Sequence, residues 1–331
     1  MRSAPVAKLT PAVSRERMRA AVLVEPRQFE LCALSVPEPS ATEVLVRVEG
    51  CGICASNLPI FEGKPWFTYP LEPGAPGHEA WGIIERTGEN VREYVAGDRV
   101  GMLSLHGFAE FDLVDESALV RLPASEQPFP AEPLGCALNI FNRAAVQRND
   151  TVAIIGIGFL GALLTQLAAA AGARVIATSR RAFALDLARQ FGAADIIEES
   201  ADVVSAVKPL TGGKFCDVVI ECTGEQSALD LAAELTRERG RLVIAGYHQD
   251  GPRQINMQLW NWRGLDVINA HERDPQIYRA GMEAAVRAVE SGLLDPRPLY
   301  THRFGFEQMG EAFATALARP RDFIKALVLM P

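Results

Sequence analysis

Two short motifs in this chain carry residue types that could bind a metal ion and a phosphate. The first supplies Cys54, and it is followed by His78 and Glu79. A thiolate and an imidazole are ligands that Zn²⁺ prefers, and a neighbouring carboxylate can join them. The second motif is the glycine pattern Gly156–Gly161. A zinc ion that polarises an oxygen next to a dinucleotide predicts hydride transfer to or from an alcohol carbon.

The glycine pattern is typical of a phosphate-binding turn between a strand and a helix. It follows the apolar run 151–155 and opens a long apolar helix. The first glycine allows a tight bend, the second lets the backbone approach a pyrophosphate, and the third lets the helix sit close to the strand. The alternative is a glycine turn without a ligand. The predicted dinucleotide-binding residues are Gly156, Gly158, Phe159, Leu160 and Gly161.

The residues after the second strand of this unit indicate which nicotinamide cofactor is used. A site for NAD wants a carboxylate there, which accepts hydrogen bonds from the ribose hydroxyls. This chain has Ser179, Arg180 and Arg181 instead. Because a guanidinium matches phosphate with paired, charged hydrogen bonds, we expect these residues to select NADP, with NAD as the alternative. The arginines could instead only begin a solvated helix.

The composition fits an ordinary globular protein. The 331 residues predict two domains, with 48% hydrophobic and 22% charged residues. The formal net charge of −8 argues against general nucleic-acid binding. The six cysteines are sparse, as in a reduced cytosolic protein, and the apolar stretch 162–171 is too short to span a bilayer. A signal-peptide core is absent, so we expect a cytoplasmic protein without nucleic-acid or membrane partners.

The hydrophobic pattern changes near Pro133. Before it, alternating residues and turn signals predict a β-barrel-like unit that is rich in glycine and proline. After it, a helix at 134–146 is followed by strands that alternate with helices, which predicts a doubly wound parallel sheet and an α/β fold class. A helix at 275–291 and a short terminal β/α stretch are expected to return to the first unit.

Taken together, these residues resemble the medium-chain dehydrogenase/reductase superfamily, in its zinc-dependent alcohol, sorbitol and threonine dehydrogenase-like branch. The motifs that carry the resemblance are Gly52–Leu58, Gly77–Glu79, Val95–Val100, Glu132–Asn139, Gly156–Gly161 and Gly246–Gly251. The resemblance implies a GroES-like, β-rich catalytic domain at 18–137 and 275–331, and a Rossmann dinucleotide-binding domain at 138–274. Residues 1–17 are expected to be a disordered extension.

The resemblance also implies the ligands of one catalytic Zn²⁺. Cys54 and His78 are the first two, and Glu132 stands at the third position, as in the sorbitol-dehydrogenase type. Glu79 is a nearby acid that can ligate directly or approach the metal when water leaves, so the choice between the two carboxylates stays open. Cys136, four residues after Glu132 on the predicted helix, is the reserve ligand.

Three residues are candidates for acid–base work beside that metal. Ser56 is implied as the group that hydrogen-bonds the alcohol and starts proton transfer, although a serine there could instead cap a helix. Glu79 is the second candidate. His248, on a loop, is the third, and it could instead contact the cofactor, a partner subunit or solvent.

Two departures from the family pattern bear on the metal. Asn57 stands where the family has an aspartate that orients the zinc-binding histidine; an amide can still accept from the imidazole N–H, but it lends less basicity. The stretch 101–116 contains no cysteine, whereas classical members carry four closely spaced ones for a structural zinc. We therefore expect one zinc per chain.

The predicted substrate pocket is amphipathic, with Trp66, Asn139 and Tyr247 as its candidate residues. That character suits a polyol, cyclitol or sugar alcohol. Two other functions remain open: a zinc-free NADPH-dependent quinone or enone reductase of the same superfamily, and a non-catalytic NADPH-binding protein. The resemblance also implies a homodimer or homotetramer that pairs edge strands of the Rossmann sheets, and the stretch 264–270, with Trp260 and Trp262 nearby, is apolar enough to cover such an edge.

Overall fold

The computed structural model of the protein describes residues 16–199 and 202–331. The disorder expected for the N-terminal extension falls on residues 1–15, which lie outside the described residues. Arg17 already pairs with Ser35 in the first strand. Within the described ranges, the helices are too short or too polar to cross a membrane.

The strands fall into a β-rich group and a second group that alternates with helices. In chain order they are β1 (Arg17–Glu25), β2 (Gln28–Ser35), β3 (Glu43–Gly52), β4 (Glu79–Thr87), β5 (Arg99–Met102), β6 (Phe111–Asp115), β7 (Leu119–Arg121), β8 (Thr151–Ile155), β9 (Arg174–Ser179), β10 (Asp195–Glu198), β11 (Cys216–Glu221), β12 (Thr236–Ile244), β13 (Asp266–Asn269), β14 (His302–Gly305) and β15 (Ala326–Leu329).

Two large sheets organise these strands. The first has the order β14-β15-β3-β4-β5-β7, with β6 also paired to β3, and β1 and β2 form a separate hairpin. The second has the order β10-β9-β8-β11-β12-β13 and is parallel throughout. Its strand order reverses between β8 and β11, which is the point where open parallel sheets bind ligands. The predicted α/β fold, a GroES-like β-rich unit and a Rossmann sheet, is confirmed.

The helices cover the parallel sheet and brace the β-rich sheet. They are α1 (Leu58–Glu62), α2 (Ala131–Ala144), α3 (Phe159–Ala170), α4 (Ala182–Gln190), α5 (Val203–Leu210), α6 (Gln226–Leu235), α7 (Met257–Arg263), α8 (Pro275–Glu290) and α9 (Met309–Ala318). Helix α2 begins three residues before the predicted start, because Pro133 is tolerated in a first helical turn. Glu132 therefore lies on the helix itself.

Helices α2 and α8 pack with their backbones in close approach. A Cβ on Gly135 would lie 2.7 Å from the backbone nitrogen of Met282, and one on Gly281 would lie 2.5 Å from Nδ2 of Asn139. The Asn139 amide donates to the carbonyl of Ile277 at 3.2 Å, across the same contact. The two glycines thus allow α8 to hold α2, and with it Glu132, at a fixed position.

Candidate active site

The metal-donor residues meet where strands of the β-rich sheet end. Cys54 follows β3, at the start of a 3₁₀ turn over Ala55–Asn57, and Glu79 opens β4 directly after His78. The Sγ of Cys54, a ring nitrogen of His78 and a carboxylate oxygen of Glu79 all lie within 4.8 Å of one another. Strands β3 and β4 pair through Gly52 and Glu79, so the register of the sheet brings these donors together.

The imidazole of His78 is oriented by a backbone carbonyl. Its Nδ1 lies 3.1 Å from the carbonyl oxygen of Pro76. The amide of Asn57 accepts from the backbone N–H of Cys54 at 3.1 Å through Oδ1, and its Nδ2 donates to the same Pro76 carbonyl. The atom of Asn57 that faces the ring is the donor Nδ2, 3.3 Å from Nδ1 of His78, so Asn57 does not accept from the imidazole, contrary to the expectation. With the ring proton on Nδ1, the ring donates to the Pro76 carbonyl and Nε2 keeps a lone pair for a metal.

Glu132 lies beside this trio but is not part of the 4.8 Å group. Its Oε1 accepts a hydrogen bond from the thiol of Cys136 at 3.2 Å, one helical turn along α2. Burial raises the pKa of Glu132 and raises that of Cys136 well above the usual range for a thiol. Cys136 thus serves as a donor to Glu132 and lies outside the group formed by Cys54, His78 and Glu79.

The donor set fits a cation. Burial alone would lower the pKa of His78, but the hydrogen bond and charge of Cys54, together with Glu132 and Glu79, raise it to about 10. A pocket that favours a proton so strongly also favours a metal ion. The Oε2 of Glu79 is buried and has no hydrogen-bond partner within the described part of the chain, although a partner is the rule for such atoms. Cysteine, histidine and carboxylate are together a zinc-type donor set.

One charged residue of this site was missed by sequence reasoning. Lys325, 4% exposed, donates from Nζ to Oε1 of Glu79 and lies 4.7 Å from the ring centroid of Phe159. Burial would lower the pKa of Lys325, but the charges of Glu79 and Cys54 outweigh it and raise that pKa. The apolar run around Lys325 resembles an ordinary edge of a strand, so only its isolated charge could have drawn attention. The lysine touches both the metal-donor cluster and the glycine turn.

The glycine turn has the geometry expected of a dinucleotide site. Gly156 has a φ of +89°, which favours glycine, and a Cβ on Gly161 would lie 2.2 Å from the carbonyl oxygen of Gly156. Gly158 precedes the first turn of α3, where Phe159 and Leu160 present their backbone amides. The turn sits at the end of β8, next to the switch point.

The three residues at the end of β9, Ser179, Arg180 and Arg181, differ in burial and in hydrogen bonding. Ser179 is buried and its Oγ accepts from the backbone N–H of Arg181 at 3.2 Å. The guanidinium of Arg181 donates to the carbonyls of Phe323 and, at 3.2 Å, Ile157. Arg180 is exposed and forms no ion pair within the described residues. Burial, followed by the charges of Arg319 and Arg180, lowers the pKa of Arg181.

The remaining predicted residues lie in different surroundings. Ser56 is half-buried in the 3₁₀ turn beside Cys54, and Trp66 and Tyr247 are 53% and 49% exposed. Asn139 is 6% exposed and its amide nitrogen donates to Ile277, so it takes part in the packing of α2 against α8. His248 is 13% exposed in its side chain and is bonded to Glu221.

Two family models match the chain. The alcohol dehydrogenase GroES-like domain matches residues 40–124, and the zinc-binding dehydrogenase domain matches residues 160–287. The chain is 31% identical to an erythritol/L-threitol dehydrogenase of Mycolicibacterium smegmatis, over 87% of this chain and 91% of that one. It is 26% identical to a sorbitol dehydrogenase of Bacillus subtilis, over 95% and 97% of the two chains.

A solved structure agrees with these matches. A zinc-binding dehydrogenase from Sinorhizobium meliloti, bound to NADP, superposes with a TM-score of 0.84 and is 27% identical, covering 95% of this chain and 100% of that chain. Galactitol-1-phosphate dehydrogenase from Escherichia coli, at 24% identity, superposes with a TM-score of 0.82 over 94% of this chain and 99% of that one and shares the fold.

The pairing of Lys325 with Glu79 can be tested by removing one charge and then both. Lys325→Met leaves a buried carboxylate without a partner, so the free energy of unfolding should fall by about 3–5 kcal/mol. Adding Glu79→Gln to that variant should restore most of the loss, since no unpaired charge remains. Urea-induced unfolding of the chelator-treated protein measures both changes.

The matched control is Lys64→Met, whose partner Glu62 lies 3.9 Å away with both side chains partly exposed. That substitution should cost at most about 1 kcal/mol. If Lys325→Met behaves like the control, the buried pair does not hold this site.

Proposed function

The chain belongs to the zinc-type medium-chain dehydrogenase/reductase family and is an oxidoreductase, and from this premise we propose that it transfers a hydride between NADP and a secondary alcohol or ketone. The observation that carries the proposal is the position of Lys325. Its ammonium is bonded to Glu79 of the metal-donor cluster and lies over Phe159 of the glycine turn. A metal and a dinucleotide held by these two groups would therefore be neighbours, as hydride transfer requires.

A polyol, cyclitol or sugar alcohol is the proposed substrate class. The relatives described above are named for erythritol, L-threitol and sorbitol. Trp66 and Tyr247 offer exposed aromatic surface that also carries a polar group, which suits a substrate with several hydroxyls.

The residues would divide the work as follows. Cys54 and His78 would hold one Zn²⁺, and either Glu79, through its unpartnered Oε2, or Glu132 would complete the set. When bound, the ion supplies Lewis acidity that favours the alkoxide form of the substrate hydroxyl. Ser56 would exchange a hydrogen bond with that hydroxyl and pass its proton toward solvent.

The cofactor would be held by the other half of the molecule. The backbone amides at the start of α3 would bind the pyrophosphate, with Gly158 leaving room for its approach. The parallel sheet would keep the nicotinamide in place during hydride transfer. The ammonium of Lys325 adds a positive charge between the two sites.

A substrate panel with metal analysis tests this function. The zinc-replete protein should bind one zinc per chain and reduce NADP in the presence of a polyol, cyclitol or secondary alcohol, as measured by nicotinamide absorbance. Cys54→Ser should lose the metal and the activity but keep its fold, because a catalytic zinc is not required for folding. Cys32→Ser, at a half-buried cysteine on β2, is the matched control and should keep both.

The competing function is reduction of a quinone or enone without zinc. The cluster of Cys54, His78 and Glu79 argues against it, since such chemistry has no use for three converging metal donors. Turnover of an enone by metal-free protein, with no oxidation of any alcohol in the panel, would overturn the proposed function.

Selection of NADP is proposed to rest on Arg180 rather than on both arginines. Arg181 already donates to the carbonyls of Ile157 and Phe323. Its guanidinium therefore supports the glycine turn, and fewer of its donors are left for a phosphate. Arg180 is exposed, and Arg319 adds a third guanidinium to the same region. Position 179 is a serine and carries no charge, whereas an acid at this position would repel the 2′-phosphate of NADP.

Substitutions at these positions should separate the roles. Arg180→Ala should weaken NADP binding by about ten- to a hundredfold and leave NAD binding unchanged, since a charged hydrogen bond contributes about 1.5–3 kcal/mol. Ser179→Asp should shift the preference toward NAD. Arg181→Ala should weaken the binding of NADP and of NAD by a similar factor.

Direct titration of each dinucleotide, followed by fluorescence, measures these affinities. Arg189→Ala is the matched control. It removes an equal charge from an exposed position on α4 and should leave the affinities for NAD and NADP unchanged. Equal affinity of the unmodified protein for NAD and NADP would contradict the proposed preference.

A homodimer, or a tetramer built from it, is proposed to form through β13. This strand ends the parallel sheet, and Trp262 beside it is 83% exposed, with Met257 at 49%. An edge strand with such apolar surroundings is suited to pair with a second copy. Light scattering at micromolar concentration should give at least twice the mass of one chain, and Val267→Pro should reduce it by removing a backbone donor from the edge. A monomeric parent protein would contradict this assembly.

A further inference from the structure

A buried chain of hydrogen bonds surrounds His248, away from the metal-donor cluster. The Nε2 of His248 lies 3.0 Å from Oε2 of Glu221, whose side chain is fully buried. Arg253 donates from Nε to Nδ1 of His248 at 2.8 Å and from Nη2 to the carbonyl of Gly224 at 2.6 Å. Arg253 also pairs with Asp250 on the same loop.

These contacts fix the protonation of the ring. Arg253 can only donate, so Nδ1 of His248 must carry a lone pair. The ring proton is then on Nε2, where it is donated to Glu221. Both nitrogens are occupied in a neutral imidazole, which leaves neither for a substrate proton. The sequence-based expectation of His248 as an acid–base group therefore does not match its surroundings.

The other oxygen of Glu221 holds the turn after β11. Oε1 accepts from the backbone N–H and, at 2.7 Å, the hydroxyl of Thr223, and from the backbone N–H of Gly224 at 2.8 Å. A Cβ on Gly246 would lie 2.2 Å from the nitrogen of Gly224, so the loop after β12 presses directly on this turn. One buried carboxylate thus ties the two loops together.

The turn after β11, held by Glu221, packs against the glycine turn of the dinucleotide site. A Cβ on Gly156 would lie 2.3 Å from the Cγ2 methyl of Thr223, so that methyl packs directly on the first glycine. Gly156 follows β8 and Thr223 lies in the turn after β11. These two strands are neighbours at the switch point of the sheet. Displacement of Thr223 would therefore reach Gly156 without an intermediate residue.

We propose that His248 is a positioning residue for the dinucleotide: through Glu221 and Thr223 it holds the glycine turn in its binding geometry. The proposal rests on the dinucleotide site of the proposed function, but not on the choice of NADP over NAD or on the substrate. Its effect must then be equal for both cofactors, because Gly156 lies at the pyrophosphate, which NAD and NADP share.

Two variants of His248 separate positioning from proton transfer. Glutamine can donate to Glu221 through its amide nitrogen and accept from Arg253 through its oxygen, whereas leucine can do neither. His248→Leu should raise the Kd of NADH and NADPH by the same factor, about tenfold, because the bonds to Glu221 and from Arg253 are both lost. His248→Gln should bring both values back to within about threefold of the parent, since its two bonds are restored.

The experiment is a fluorescence titration of NADH and NADPH into the full chain, with the pH profile of kcat as the second readout. That profile should keep its shape in both variants. His106→Leu, an exposed histidine that contacts the carbonyl of Pro73, is the matched control and should leave both Kd values unchanged.

Three results would overturn the proposal. Unchanged Kd values with a shifted pH profile in His248→Leu would make His248 a proton carrier, and equal losses in the leucine and glutamine variants would reduce it to a space-filling residue. If His248→Leu does not fold, Arg253→Met, which removes the donor to Nδ1 together with the bonds to the Gly224 carbonyl and Asp250, should raise the Kd of both cofactors by the same factor, and unchanged Kd values there would end the proposal. A parent protein that binds both dinucleotides but oxidises no alcohol would refute the proposed function alone.

Discussion

A single buried ion pair links the parts of this molecule that chemistry must bring together. Lys325 lies immediately before β15, and β15 pairs with β3 through Leu327 and Gly52. An ammonium without a partner could not remain charged in that interior, so Glu79 must face it. The C-terminal segment is thereby fixed against the metal-donor cluster. The same pairing occupies one oxygen of Glu79 and leaves the other unpartnered beside Cys54 and His78.

Close backbone contacts impose a second constraint, because they decide how far each element can move. The contacts at Gly135 and Gly281 bring α8 against α2, whose first turn carries Glu132. The contact at Gly161 brings α3 against the turn after β8. Where the backbones nearly touch, a substitution shifts a whole element instead of one side chain. The metal side and the cofactor side of the molecule are both built in this way.

Arginine side chains join segments that are far apart in the sequence. Arg181 reaches from the end of β9 to Phe323 of the C-terminal segment, and Arg253 reaches from the loop after β12 to the turn after β11. A guanidinium suits this task because its planar donors can serve two acceptors at once. An arginine that donates to backbone carbonyls in this way has fewer donors left for a phosphate, and the proposed NADP preference therefore rests on Arg180 rather than on Arg181.

The sequence alone determined the fold class and singled out the candidate metal donors Cys54 and His78, because both depend on local patterns. Alternating strands and helices after Pro133 predict a parallel sheet, and Cys54, His78 and Gly156–Gly161 are residue types with specific chemistry. Some short elements do not follow from the sequence pattern. Strand β2 and helices α5 and α7 lack a clear hydrophobic period, so the sequence did not predict them.

Only the tertiary structure decided what each polar side chain does. Lys325 and Glu79 are separated by 246 positions, so nothing local announces their pairing. Asn57, Arg181 and His248 have the residue types that orient a ligand, bind phosphate or carry protons. Each is instead engaged by a backbone carbonyl, a backbone amide or a buried charge from elsewhere in the chain. A polar group taken out of water must find a partner, and only the folded packing determines which partner is within reach.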